Sequence, residues 1–102
     1  MNRVVNVRKD FFDVYMGRSM PYYKASPWQN PFHIHADTQE ERLRVAAEYA
    51  EYFYASEQKW LRDRALAEIS PDAILGCWCA PKLCHAEIVA GYLAWKRNEL
   101  SF

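Results

Sequence analysis

Along the chain, β-branched and aromatic residues first alternate with polar ones at strand spacing. Residues 3–8, RVVNVR, predict a first strand. Asp10 marks a turn, and residues 11–17, FFDVYMG, predict a second short strand closed by Gly17. Phe12, Val14 and Met16 would share one face of it, Asp13 and Tyr15 the other. Two strands so close in sequence predict a hairpin. Residues 18–37 carry no period, and Pro21, Pro27 and Pro31 exclude a regular element through their middle. Tyr22, Tyr23, Trp28 and Phe32 make this loop too aromatic to be solvated throughout, so it is expected to pack down on the domain.

The period then changes to that of a helix. Thr38 followed by Glu41 is a capping-box signature. Leu43, Ala46, Ala47, Ala50, Phe53 and Tyr54 recur at helical spacing and are expected to face the core, with QEERLR as a solvated face. A second helix is expected over residues 57–69, with Trp60, Leu61 and Ala65 inward, ended by Ser70 and Pro71. DAILGCWC, 72–79, reads as a strand entering the core and is broken by Pro81. From about Lys82 a last helix places His85, Ile88, Val89, Tyr92 and Trp95 near one face and frays at RNELSF, 97–102.

The order strand, strand, aromatic loop, helix, helix, strand, helix predicts a small α/β domain spanning residues 1–102, a short mixed sheet with helices packed on it. If the first and third strands run parallel, their C-terminal ends meet on one edge, where open α/β sheets bind ligands. Arg8 ends the first and Cys79 the third.

Composition narrows the function classes. Half the chain is apolar (51%), enough for a packed core. Lys plus Arg (13) equals Asp plus Glu (13), so extensive nucleic-acid binding, which shows as a basic excess, has no support. No apolar run could span a bilayer, and MNRVVNVRKD has no signal-peptide core, so a cytoplasmic location without a membrane partner is expected.

The three cysteines all fall in GCWCAPKLCHAE, 76–87. On a strand, Cys77 and Cys79 point to one face and Trp78 to the other. Cys84 and His85 open the last helix, whose free amides and dipole favour a thiolate, a phosphate or a carboxylate. Three chemistries fit. Zinc could take Cys77, Cys79, Cys84 and His85, with His33 or His35 as substitutes, although Cys-x-Cys and an adjacent Cys-His pair are not the paired Cys-x-x-Cys knuckles of structural zinc sites. Cys84 could be an activated nucleophile with His85 or His33 as base. An anion pocket could be built from Arg8, Arg18 and the helix start, with Tyr15, Trp28 or Trp78 flanking a base and Asn30 reading a polar edge. Buried free cysteines acting as small hydrophobes are the plain alternative, and Glu87 also reads as a cap of the last helix.

Four blocks, VVNVRK (4–9), DVYMGR (13–18), WQNPF (28–32) and GCWCAPKLCH (76–85), resemble a small domain-of-unknown-function family of phages and bacteria. The resemblance runs over nearly the whole chain, with Gln29 standing where the family has glycine. It implies no established activity. It does imply that Arg8, Arg18, Asn30 and the cysteines belong to one site, in a phage or mobile-element setting.

The resulting expectation is a domain that binds a small anionic ligand, a nucleotide or phosphorylated sugar, through Arg8, Tyr15, Arg18, Asn30 and Cys79. If chemistry follows, it is hydrolysis or group transfer, with His85 as acid/base and Cys84 or Glu87 assisting. Two alternatives stay open. One is a zinc-stabilised interaction module held by Cys77, Cys79, Cys84 and His85. The other is a ligand-sequestering protein with the same pocket and no turnover.

Overall fold

In a computed structural model of the chain, which describes residues 1–98, three strands and three helices form the α/β unit expected from the sequence. The strands are β1 (Val4–Asn6), β2 (Val14–Tyr15) and β3 (Leu75–Cys77). The helices are α1 (Gln39–Tyr54), α2 (Lys59–Glu68) and α3 (His85–Lys96), with a 3-10 turn over Ser56–Gln58 between the first two.

The expected hairpin does not form, and the sheet is parallel rather than mixed. Its order is β1-β3-β2, with Val4 and Val14 both opposite Leu75, and Val5 and Tyr15 both opposite Gly76. The reason lies in burial. All three residues of β3 are buried, whereas β1 and β2 are partly exposed, so the most apolar strand takes the centre and separates the other two. The chain doubles back after β1, with the Lys9 and Asp10 amides both donating to the Asn6 carbonyl. Asp13 then fixes the entry to β3: its carboxylate accepts from the Ile74 amide at 2.7 Å, and its own amide donates to the Ile74 carbonyl.

The α1 start is as expected. The Thr38 hydroxyl accepts from the Glu41 amide at 3.2 Å. Glu41 does not close the reciprocal half of the box; it accepts from the His35 amide instead and so ties the preceding loop to the helix. The buried face matches the expected one at Ala46 and Phe53 and differs elsewhere. Val45, Ala46, Tyr49 and Phe53 face inward, while Leu43 and Tyr54 are exposed. Tyr49 sets this rotation. Its hydroxyl donates to the Trp28 carbonyl at 2.8 Å, which removes the cost of burying it and lets the whole ring fill the core. Trp60 on α2 is also exposed, against expectation, while Leu61 and Ala65 are buried as expected.

Helix α3 contacts β1 and β3 as well as α1 and α2, which makes it the central element. Ala86, Val89, Ala90, Leu93 and Ala94 are buried along it; Trp95, expected near the inner face, is exposed. It begins at His85, later than expected, with Cys84 as its N-cap residue. The expected fraying over 97–102 lies outside the described residues from 99 onward. The aromatic loop packs down through Trp28, whose indole N–H donates to the Leu61 carbonyl at 3.0 Å, while Tyr22 stays in solvent. Among the described residues no helix is long and apolar enough to cross a membrane.

Candidate functional site

The parallel arrangement gathers polar residues at one end of the sheet. β3 leaves the core at Cys77, turns through residues 78–83, and returns into the sheet end as the N-cap of α3 at Cys84. This brings the Cys77 and Cys84 sulfurs to 2.9 Å. Asn6 on β1 holds the turn in place: its side-chain amide donates to the carbonyls of Trp78 and Ala80, at 3.1 and 3.0 Å. Sequence reasoning passed over Asn6. Its signal is a lone polar side chain in the β-branched run VVNV, where no strand face needs one.

A cavity of about 340 Å³ opens beyond the C-terminal ends of β2 and β3. Cys77, Cys84 and His85 line one part of it, and Phe32, Ile34, Val45 and Leu83 give it apolar walls. Arg18, Asn30, Arg42 and Cys79 supply the polar lining. The cavity lies outside the C-terminal ends of the strands, where open α/β sheets bind ligands.

Arg18 is fixed by the loop it faces. Its Nε donates to the Asn30 carbonyl at 3.0 Å and an Nη donates to the Phe32 carbonyl at 2.8 Å. Asn30 shapes that loop by accepting from the Phe32 amide at 2.9 Å. Both Arg18 bonds go to neutral carbonyls, so its charge is not balanced by a carboxylate among the described residues. Arg42 was expected on a solvated helix face. It is instead largely buried, paired with Asp37 at 2.6 Å and within reach of the Cys79 sulfur. Asp37 also pairs with Lys82 at 3.1 Å, so one carboxylate serves two cations. The Arg42 hydrogen bonds hold its carboxyl below the usual range, with Lys82 assisting.

The two close cysteines divide one proton unequally. The Cys84 S–H donates to Cys77 and lowers the Cys77 thiol to about 7; burial opposes this, and the amides of Ala80 and Cys79 add to it. Cys84 is correspondingly pushed up, by its bond to Cys77 and by burial. His85 is buried, and its Nε2 lies 2.6 Å from the Met16 carbonyl. A carbonyl only accepts, so Nε2 carries the proton. Burial lowers the imidazole to about 4, so the ring is neutral at pH 7.

Several expected site residues lie elsewhere. Arg8 is exposed and does not line the cavity; its guanidinium stacks over the Trp78 ring at 5.0 Å. Tyr15 has its hydroxyl committed, donating to the Arg18 carbonyl at 2.6 Å and accepting from the Trp78 indole at 2.8 Å. It stacks on Tyr23 and supports the turn from outside the cavity lining. Glu87 is exposed in the first turn of α3, and His33 and His35 are exposed in the loop. Cys79, Arg18 and Asn30 do meet at the cavity, together with Cys77, Cys84 and His85.

As placed, Cys77 and Cys84 stand closer together than two zinc-bound thiolates do. Two thiolates on one tetrahedral zinc stand about 3.8 Å apart, from Zn–S bonds of about 2.3 Å, whereas Cys77 and Cys84 are at 2.9 Å. The His85 Nε2 is turned onto Met16. No group of three or more His, Cys, Asp or Glu side chains that could hold a metal ion occurs among the described residues.

Residues 2–95 match the family described as "Domain of unknown function (DUF4326)". The chain belongs to this family. All four sequence blocks noted above fall within the matched span. No curated protein and no solved structure matches the chain.

Proposed function

We infer that this DUF4326 protein binds a small, amphipathic anionic ligand of the nucleotide or phosphorylated-sugar class in the cavity at the strand ends. The observation that carries this reading is Arg18. Its guanidinium is held by two backbone carbonyls at the edge of a cavity walled on one side by Phe32, Ile34, Val45 and Leu83, and its charge has no carboxylate partner among the described residues. Two of its five N–H groups are used, which leaves donors for a phosphate or carboxylate. Arg42 adds a second cation, and Phe32, Ile34 and Val45 offer apolar surface to a base or a sugar face. The volume lies within the range of small-molecule sites.

The arrangement favours binding, or sequestration, over acid/base turnover. The His85 proton is held on Met16, and Glu87 stands outside the cavity lining. Hydrolysis or group transfer through His85 would first require its ring to leave that carbonyl. A phage or mobile-element setting rests on the motif resemblance alone, and a cytoplasmic location on the composition.

Calorimetric titration with nucleoside mono- and diphosphates, their unphosphorylated nucleosides and sugar phosphates tests this. Phosphorylated members should bind and the matched nucleosides should not. Arg18→Ala should weaken binding about 10- to 100-fold, the worth of charge-assisted hydrogen bonds, while leaving the far-UV spectrum unchanged. Equal affinity in Arg18→Ala, or no binding across the panel at millimolar concentration, would sink the reading. One zinc per chain by elemental mass spectrometry of protein purified without chelator would restore the zinc-module alternative.

A further inference from the structure

We propose that Cys77 and Cys84 form a reversible dithiol–disulfide site in the cavity lining, oxidised by a small hydroperoxide, with Cys77 as the attacking thiolate and Cys84 as the resolving thiol. This reading does not depend on an anionic ligand. It rests on three observations. The two sulfurs already touch at 2.9 Å, so bonding at about 2.0 Å requires a closure of only about 0.9 Å. Both residues line the cavity, so a small oxidant reaches them although their exposure to bulk solvent is only 1% and 6%. The environment is also asymmetric: two backbone amides, of Cys79 and Ala80, face the Cys77 sulfur, whereas one, of Ala86, faces that of Cys84.

The chemistry balances with hydrogen peroxide as oxidant. The Cys77 thiolate attacks one peroxide oxygen, the O–O bond breaks, and hydroxide leaves; Cys77 becomes a sulfenic acid. Cys84 sulfur then attacks the Cys77 sulfur, the S–O bond breaks, and the departing hydroxide takes up the Cys84 proton as water. Two thiols have lost two electrons, and one peroxide has become two waters once the first hydroxide is protonated by solvent. A dithiol reductant reverses the change by exchange. Cys79 is the competitor for either role. It lies two residues from Cys77 and lines the same cavity, with Arg42 nearby.

Tryptic mapping separates these assignments. Cleavage after Lys82 leaves Cys77 and Cys79 on residues 65–82 and Cys84 on residues 83–96, so a bridge to Cys84 joins two peptides. The full chain is treated with hydrogen peroxide, blocked with N-ethylmaleimide and digested without reductant. The joined pair is expected in the wild type and in Cys79→Ser, and is expected to vanish on adding dithiothreitol. In Cys84→Ser, Cys77 should accumulate as a sulfenic acid trapped by dimedone. Loss of the joined pair in Cys79→Ser would overturn the assignment, because Cys79 would then be a partner. So would three thiols that all remain alkylatable after peroxide, or Cys77 passing to sulfinic acid with Cys84 still free. The wild type and Cys79→Ser decide the matter even if Cys84→Ser fails to fold.

Discussion

His85 gives the sharpest test of the packing around the site. Its imidazole is buried against Tyr49 with Nε2 on the Met16 carbonyl. Burial lowers its pKa from 6.5 to about 4; the Met16 bond opposes this and the nearby Arg18 charge reinforces it. The unfolded chain therefore takes up a proton near pH 6.5, and the folded chain does not until about pH 4. Between these values the unfolded state binds more protons, so stability is full above pH 6.5 and falls as the pH drops. One unit of pKa displacement is worth about 1.4 kcal/mol, so the full displacement corresponds to about 3 kcal/mol, of which about 2 to 3 is lost by pH 4.5. Stopping at pH 4.5 largely keeps out Asp37 and Glu41, which Arg42 and Arg44 hold below the ordinary carboxylate range. Cys77, near 7, titrates at the upper edge and is common to both proteins compared. The assay is urea denaturation from pH 7 to 4.5 on the wild type and on His85→Gln. Glutamine carries an amide N–H for the Met16 carbonyl but has no proton to gain. The wild type should lose about 2 to 3 kcal/mol across the window beyond whatever His85→Gln loses. Parallel pH profiles would refute the reasoning, as would an NMR titration of the His85 ring centred near 6.5.

Two further perturbations probe the frame. Gly76→Ala would place a Cβ 2.5 Å from Phe12 and 2.9 Å from Val7, on the residues that flank β3; overpacking of this kind costs about 1 to 3 kcal/mol, to be read from the urea midpoint. Tyr49→Phe removes the donor to the buried Trp28 carbonyl and should cost about 1 to 3 kcal/mol, with the tryptophan emission of the unliganded protein reporting any release of the Trp28 loop.

Features that depend on a few neighbouring residues were legible in the sequence. The Thr38 cap is one: a hydroxyl three residues before an amide needs only a local turn. The helices, the extended stretches and the packed aromatic loop followed from period, prolines and ring content in the same way. The cysteine motif could also be placed, because β3 and α3 are joined by a short turn that cannot carry Cys84 far from Cys77.

Strand pairing was not legible in that way. RVVNVR and FFDVYMG satisfy a hairpin locally, and only the arrival of a wholly buried β3 some sixty residues later makes the parallel order better. The choice of arginines followed the same logic. Arg8 and Arg42 look equally free as sequence, but Trp78 draws the first away from the cavity while Asp37 holds the second beside it. On α1, Tyr49 took the place expected for Leu43 because a carbonyl of Trp28, twenty-one residues upstream, accepts from its hydroxyl. The chain alone thus determined its class, its element order and where its reactive side chains are concentrated, since these are set by neighbours within a turn or two. Which of those side chains share the cavity, which proton each keeps and which way the strands run were decided by contacts between residues far apart in sequence, where burial of one group depends on a partner that no local pattern names.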